Sequence, residues 1–185
     1  VGLFIAPIES QRKSLSDSIS KTATISSYQR ISDHNMSPRI KTGANYIAGR
    51  YAHLLANELN YDLPIFLNDQ SFVSEGAGAC IFIIKNGALI TPLKDSSILE
   101  SITRDTIIKI GNELNIDVYE SNITRTMLYD ADEVFLCGTA AEITPISKID
   151  GFEFSSEITL GLIFKKYFKI VDGIDLIDSK WLREA

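Results

Sequence analysis

The 185-residue sequence predicts an α/β (α+β) domain built on a barrel-like, mixed or largely antiparallel sheet flanked by helices. Three observations carry this. Stretches rich in β-branched and aromatic residues outnumber stretches with helical periodicity. An Asn86-Gly87 pair inside one of them marks a tight hairpin. The helical stretches lie between strands, so hairpins mix with helical crossovers.

In chain order, GLFIAPI (2–8) and KTATISSYQR (21–30) read as strands, separated by the polar, serine-rich loop ESQRKSLSDSIS. From 44 to 59, Ile47, Tyr51, Leu54, Leu55 and Leu59 fall on one helical face, which predicts an amphipathic helix. PIFLND (64–69), SFVSEG (71–76) and ACIFIIKNGALIT (79–91) follow as strands. A helix runs from about Ile102 to Leu114, opened by Ser101 or Thr103 as its cap. IDVYES is a strand, TRTMLYDA a short helix, and DEVFLCGT and EITPISKID are strands with GF as a turn. ITLGLIFKKYFKIV (158–171) closes the pattern as a helix.

Composition fits one large domain that buries a real core: 45% hydrophobic and 23% charged. The net charge of −6 argues against nucleic acid or an anionic membrane as partner. No apolar run approaches membrane-spanning length. VGLFIAPI lacks the basic leader and cleavage pattern of a signal peptide. Starting at Val1, the chain reads like a piece beginning in mid-protein, with terminal processing as the plainer alternative. Cys80 and Cys137 sit in apolar surroundings, which predicts buried free thiols in a reducing compartment. His34 and His53 have no partners at zinc-ligand spacing, so no metal site is expected.

Four short stretches could carry chemistry. Lys41 precedes the small residues Thr42, Gly43 and Ala44 at the doorway of a helix. A lysine amine becomes a nucleophile where its neutral form is favoured, and small neighbours let a flat molecule reach it. The ordinary alternative is a salt-bridged surface lysine. Glu75 ends an apolar strand before Gly76 and Gly78, where a carboxylate could hold a cation or a protonated ring nitrogen; a hairpin turn with a solvated glutamate is the plainer reading. Ile102 and Thr103 open a helix whose free N–H groups attract phosphate, although most such starts bind nothing. Gly138-Thr139-Ala140-Ala141 ends an apolar strand with small residues and one hydroxyl, as an ordinary turn also would. Together the four agree on a flat ligand with a phosphate, a basic ring nitrogen and an aldehyde, handles that pyridoxal 5′-phosphate has.

KTGANY, then SEGAG about thirty residues on, then ITRD, DEVFLCGTAAEITP and a trailing IDG resemble the class IV aminotransferases, the fold type IV pyridoxal-phosphate enzymes. KTGANY and GTAAEITP look most like branched-chain amino-acid aminotransferases. The resemblance implies the large C-terminal domain of the D-amino-acid-aminotransferase-like fold. Residues 1–185 would form a single cofactor-binding domain, and the smaller N-terminal domain of such enzymes, with its phosphate-binding arginine, is absent from this sequence. The implied activity is transfer of an amino group between branched-chain L-amino acids and 2-oxoglutarate, by a cytoplasmic homodimer. A D-amino-acid aminotransferase, an aminodeoxychorismate lyase-like enzyme and an inactive truncated domain are the alternatives.

Carried over by position, the resemblance implies that Lys41 bonds the cofactor aldehyde and moves the substrate proton. Glu75 would pair with the ring nitrogen and Tyr46 with the phenolic oxygen. Leu99 would pack on the ring. Ile102, Thr103 and Thr139 would hold the phosphate, and Thr139 with Ala140 the substrate carboxylate. Two departures stand out: Ala79-Cys80 where the family commonly has Glu-Asn, and Glu100-Ser101 where it commonly has Pro-Gly.

Overall fold

The computed structural model describes residues 20–155 and 158–175. Over these the chain runs β1 (Lys21–Gln29), a 3₁₀ turn (Gly43–Tyr46), α1 (Ile47–Glu58), β2 (Leu63–Leu67), β3 (Val73–Gly76), β4 (Cys80–Lys85), β5 (Ala88–Thr91), α2 (Ile102–Glu113), β6 (Val118–Glu120), α3 (Arg125–Tyr129), β7 (Glu133–Gly138), β8 (Glu142–Ile149), β9 (Phe152–Glu153) and α4 (Ile158–Val171). The expected strand at 2–8 and nearly all of the serine-rich loop lie outside the described residues.

The strands form one sheet in the order β3-β2-β1-β8-β7-β4-β5-β6, with β9 added to β8. β1 runs parallel to β2 and β8, and β5 to β6, while the remaining pairs are antiparallel. The sheet is therefore mixed, as expected. It also curls. β3 is an edge strand, yet only residues 77–79 separate it from β4, and Gly76 N–H donates to the Ala79 carbonyl at 2.8 Å. A Cβ on Gly76 would stand 3.1 Å from a Leu136 methyl in β7, so the edge folds back over the middle strands, and any side chain there would have to push Leu136 aside. The result is a half-barrel.

Both faces of the central strands are covered, which is why β4 and β7 read as unbroken apolar runs. Phe82, Ile84, Phe135 and Cys137 face Ile107 and Ile110 of α2 and Leu160, Ile163 and Phe164 of α4. Ile81, Ile83, Val134 and Leu136 alternate with them and point into the second cluster with Ile65, Val73, Ile123 and Ile146. Phe82 pairs with Phe135 across the strands, and their rings stack at 5.2 Å. Asn86 and Gly87 both have positive φ, the conformation that the β4–β5 hairpin requires.

The structure settles two details that the sequence left open. The apolar face of α1 is not its buried face. Tyr51, Leu54 and Leu59 are 56, 60 and 61% exposed, while Gly49, Ala52 and Ala56 pack inward. Small residues let the helix lie close on β1 and β2, and the larger stripe, extended by Tyr28 against Tyr51, is left at the surface. At α2 the cap is Ser101, the first of the two expected candidates: its hydroxyl accepts from Arg104 N–H. Position 103 already lies within the first turn of the helix, where its N–H is a donor to be satisfied rather than a cap.

Asp62 fastens the start of β1 to the start of β2. Its carboxylate accepts from Thr22 N–H at 2.8 Å and Thr22 hydroxyl at 2.9 Å, and pairs with Lys21 at 3.2 Å. The Thr22 N–H, above all, holds its pKa below the ordinary 3.8. A lowered carboxylate stabilises the fold above its unfolded value, and that contribution is lost as the pH falls through the folded value. Asp62→Asn is therefore expected to flatten the acid limb of a melting-temperature profile below pH 3.8 and to leave its shape at neutral pH unchanged. An unaltered acid limb would show that the contact carries no linkage.

Candidate active site

Where the half-barrel opens, four segments converge: the loop after β1, the end of β3 with its 77–79 turn, the strap before α2, and the end of β7. They enclose a cavity of about 300 Å³. Lys41, Tyr46, Glu75, Leu99, Ile102 and Thr139 all line it. Residues up to 98 positions apart in the sequence (Lys41 and Thr139) are thus brought to one hollow. Thr103 and Ala140 do not line it: the Thr103 side chain is buried beneath the helix start and Ala140 is exposed on the β7–β8 turn.

Glu75 sits on β3 with 5% of its surface exposed. One carboxylate oxygen accepts from Arg30 Nε at 2.7 Å and the other from Leu99 N–H at 3.0 Å. Burial pushes its pKa up; the Arg30 charge and the Leu99 N–H pull it back in part. The solvated glutamate of a plain hairpin is excluded by that burial. The Lys41 side chain is exposed and, among the described residues, has no ion pair or hydrogen bond. Its amine is therefore available to a ligand.

The start of α2 presents unused donors. Among the described residues, neither Ile102 N–H nor Thr103 N–H has an acceptor, because the Ser101 hydroxyl turns to Arg104 N–H and the Ser101 carbonyl takes Asp105 N–H at 3.1 Å. The serine in place of glycine thus caps the helix and leaves the first two donors free. Arg104, 3% exposed, anchors this helix start through Pro92 carbonyl at 2.8 Å and Glu120 at 2.6 Å. Glu100, the other departure, sits at the rim between Arg39 at 3.4 Å and Lys94 at 3.2 Å. Gly43 and Gly78 have open space where a side chain would stand.

Sequence reasoning missed Arg30, Asn45 and the two thiols as parts of this region. Arg30 lies 45 residues from Glu75 at the end of a strand, and nothing local distinguishes it from a solvated arginine. Cys80 and Cys137 were expected to be buried, and they are, but as cross-strand partners they also line the cavity. Burial, reinforced by the Glu75 charge, pushes Cys80 up to about 12, and burial raises Cys137 well above its ordinary value. Both stay thiols, so neither is a nucleophile at neutral pH.

The donor set fits pyridoxal phosphate. There is an unpaired amine for an aldehyde, a buried carboxylate for a ring nitrogen, and two free N–H groups at a helix start for a phosphate.

Known proteins agree in family. Residues 3–149 match the model of the class IV amino-transferases. A protein of Aquifex aeolicus named "Probable branched-chain-amino-acid aminotransferase" is 42% identical over 165 residues, which is 86% of this chain and 53% of that protein. The branched-chain-amino-acid aminotransferase of Escherichia coli K12 is 43% identical over 131 residues, 71% of this chain and 42% of its own length. The chain thus spans about half the length of the curated relatives it matches. The crystal structure of a branched-chain amino acid aminotransferase from Thermobaculum terrenum, in its PLP-form, superposes with a TM-score of 0.84 at 43% identity, covering 88% of this chain and 54% of that one. Sequence motifs, curled mixed sheet and cavity all lead to the same placement: the chain belongs to the class IV aminotransferase family.

Proposed function

We propose that this chain is the cofactor-binding domain of a pyridoxal-phosphate-dependent branched-chain amino-acid aminotransferase. It would exchange amino groups between leucine, isoleucine or valine and 2-oxoglutarate. The observation that carries the reading is the shared cavity of Lys41, Glu75 and the donor-rich start of α2. The names of the relatives support the substrate class.

Bound pyridoxal phosphate supplies an electron sink for the carbanion left when an amino acid loses its α-proton. The residues around it would do the rest. Lys41 would hold the aldehyde carbon covalently, and once substrate frees its amine it would carry the proton from the substrate α-carbon. Glu75, kept at the ring nitrogen by Arg30 and Leu99, would favour the protonated ring. Tyr46 would donate to the phenolic oxygen, and Leu99 would pack on the ring. Ile102, Thr103 and Thr139 would hold the phosphate; Thr139 and Ala140 would receive the substrate carboxylate. Thr103 suits this role through its backbone, since its side chain is turned into the protein.

In this reading residues 1–185 are one domain of a two-domain enzyme, and further contacts to phosphate and substrate come from outside the chain, so the domain alone would turn over little substrate. A homodimer fits the exposed stripe of Tyr51, Leu54 and Leu59, a face that a partner could cover. Free buried thiols suit a reducing cytoplasm. Among the described residues no helix is long and apolar enough to cross a membrane.

The experiment is to mix the chain with pyridoxal phosphate, reduce with borohydride, and map the modified lysine by mass spectrometry. Modification of Lys41 ahead of every other lysine is expected. In the complete enzyme, leucine should bleach the visible cofactor absorption. Labelling spread evenly over surface lysines, or turnover of D-alanine with none of leucine, would overturn the site or the substrate respectively.

A further inference from the structure

Glu75 and the Lys41 loop are not independent. Arg30, 9% exposed, donates from Nε to Glu75 at 2.7 Å and from Nη1 to the backbone carbonyl of Asn45 at 2.9 Å. Asn45, 4% exposed, donates from Nδ2 to two carbonyls at once, Ser37 and Ile40, each at 2.9 Å. Ile40 immediately precedes Lys41. The loop's own bonds are few: Ile40 N–H to Ser37 carbonyl at 3.2 Å, Thr42 N–H to Ile40 carbonyl at 2.9 Å and Asn45 N–H to Thr42 carbonyl at 3.1 Å. Of its side chains, Ile40 and Lys41 are exposed, Arg39 reaches only the half-exposed Glu100 at 3.4 Å, and Pro38 alone is buried.

We propose that Arg30 and Asn45 are positioning residues that fix the Lys41 loop and the Glu75 carboxylate relative to each other. One buried guanidinium sets both: its fork spans the acid and the peptide that begins the clamp on the loop. A fork of two fixed donors can do this, whereas a lysine's single ammonium centre cannot hold both partners in the same geometry. Asn45 contributes because a side-chain amide carries two donor hydrogens on one nitrogen. The two carbonyls flanking the Lys41 approach are thereby tied to a residue that the core holds. Neither residue need touch substrate or cofactor.

The proposal rests on the reading of Lys41 as the cofactor lysine, and its test separates the two. Amide hydrogen exchange on the cofactor-free chain reads the clamp alone. In Asn45→Ala the Ile40 and Thr42 amides are expected to exchange at least about tenfold faster, with core amides in β4 and β7 unchanged. The rate at which borohydride-trappable pyridoxal phosphate appears on Lys41 should fall by a similar factor. Arg30→Lys keeps the charge beside Glu75 and loses the fork. It should slow trapping at Lys41 while the affinity for pyridoxal phosphate, measured by fluorescence titration, changes less than threefold. Unchanged exchange in Asn45→Ala overturns the clamp. Faster exchange with an unchanged trapping rate makes Asn45 merely structural and also overturns the proposal. If the parent chain is not trapped at Lys41 at all, the functional reading fails, and loop exchange in Asn45→Ala and Arg30→Lys still decides the clamp. Should Asn45→Ala not fold, Arg30→Lys carries the test through the same two readouts.

Discussion

Lys41→Ala should abolish the covalent attachment of pyridoxal phosphate and lower leucine turnover by the complete enzyme at least about a thousandfold. The estimate follows from the two tasks assigned to one amine. A positioned general acid–base contributes on the order of 10²–10⁴ in rate, and loss of the covalent hold on the aldehyde adds to that. Because the side chain is exposed and makes no bond among the described residues, the variant should melt at the parental temperature. Stopped turnover with unchanged melting separates a chemical role from a structural one. A Lys41→Ala enzyme that still transaminates at the parental rate would remove the lysine from the reaction.

Glu75→Leu carries the largest expected cost in stability. It leaves the Arg30 guanidinium buried without its carboxylate, and breaking a buried pair from one side costs about 3–5 kcal/mol. That is a large share of the roughly 5–15 kcal/mol by which a domain is stable, so the urea midpoint should fall steeply. Arg30→Met/Glu75→Leu removes both charges and should regain most of the loss, since an apolar pair of similar volume replaces an ion pair at little cost. The double variant should still fail to hold pyridoxal phosphate with its ring protonated, because the buried carboxylate is gone and the remaining one, Glu100, is paired with Arg39 and Lys94 at the rim. If it is no more stable than the single variant, the ion pair is not what the substitution breaks. If it binds and turns over like the parent, Glu75 has no part in the chemistry.

The elements that could be read from sequence were those with a local cause. The β4–β5 hairpin follows from Asn86-Gly87, and α4 runs over the full 158–171 stretch because its apolar spacing has one interpretation. Helix α1 shows where local reading stops. Its periodicity located the helix and its larger apolar face, but not which face packs inward: the small face of Gly49, Ala52 and Ala56 does, because small residues allow the helix near the sheet. The site divides in the same way. Lys41, Glu75, Ile102 and Thr139 stand in motifs that the family resemblance flags, and all four line the cavity. Arg30 and Asn45 act through backbone carbonyls and a carboxylate brought near by folding, and such partners leave no periodic trace in the chain.

The parallel pairing of β1 with β8 joins residues 126 positions apart, as between Thr22 and Lys148. Closing so long a loop is entropically slow, while hairpins such as β4–β5 and β7–β8 need no such search. Assembly of this domain should therefore finish with that seam. The hollow between the Lys41 loop, which follows β1, and the β7–β8 turn is completed only then. Any occupant binds the finished state and not its precursors, so saturating the domain with ligand should retard unfolding without hastening the search that precedes it.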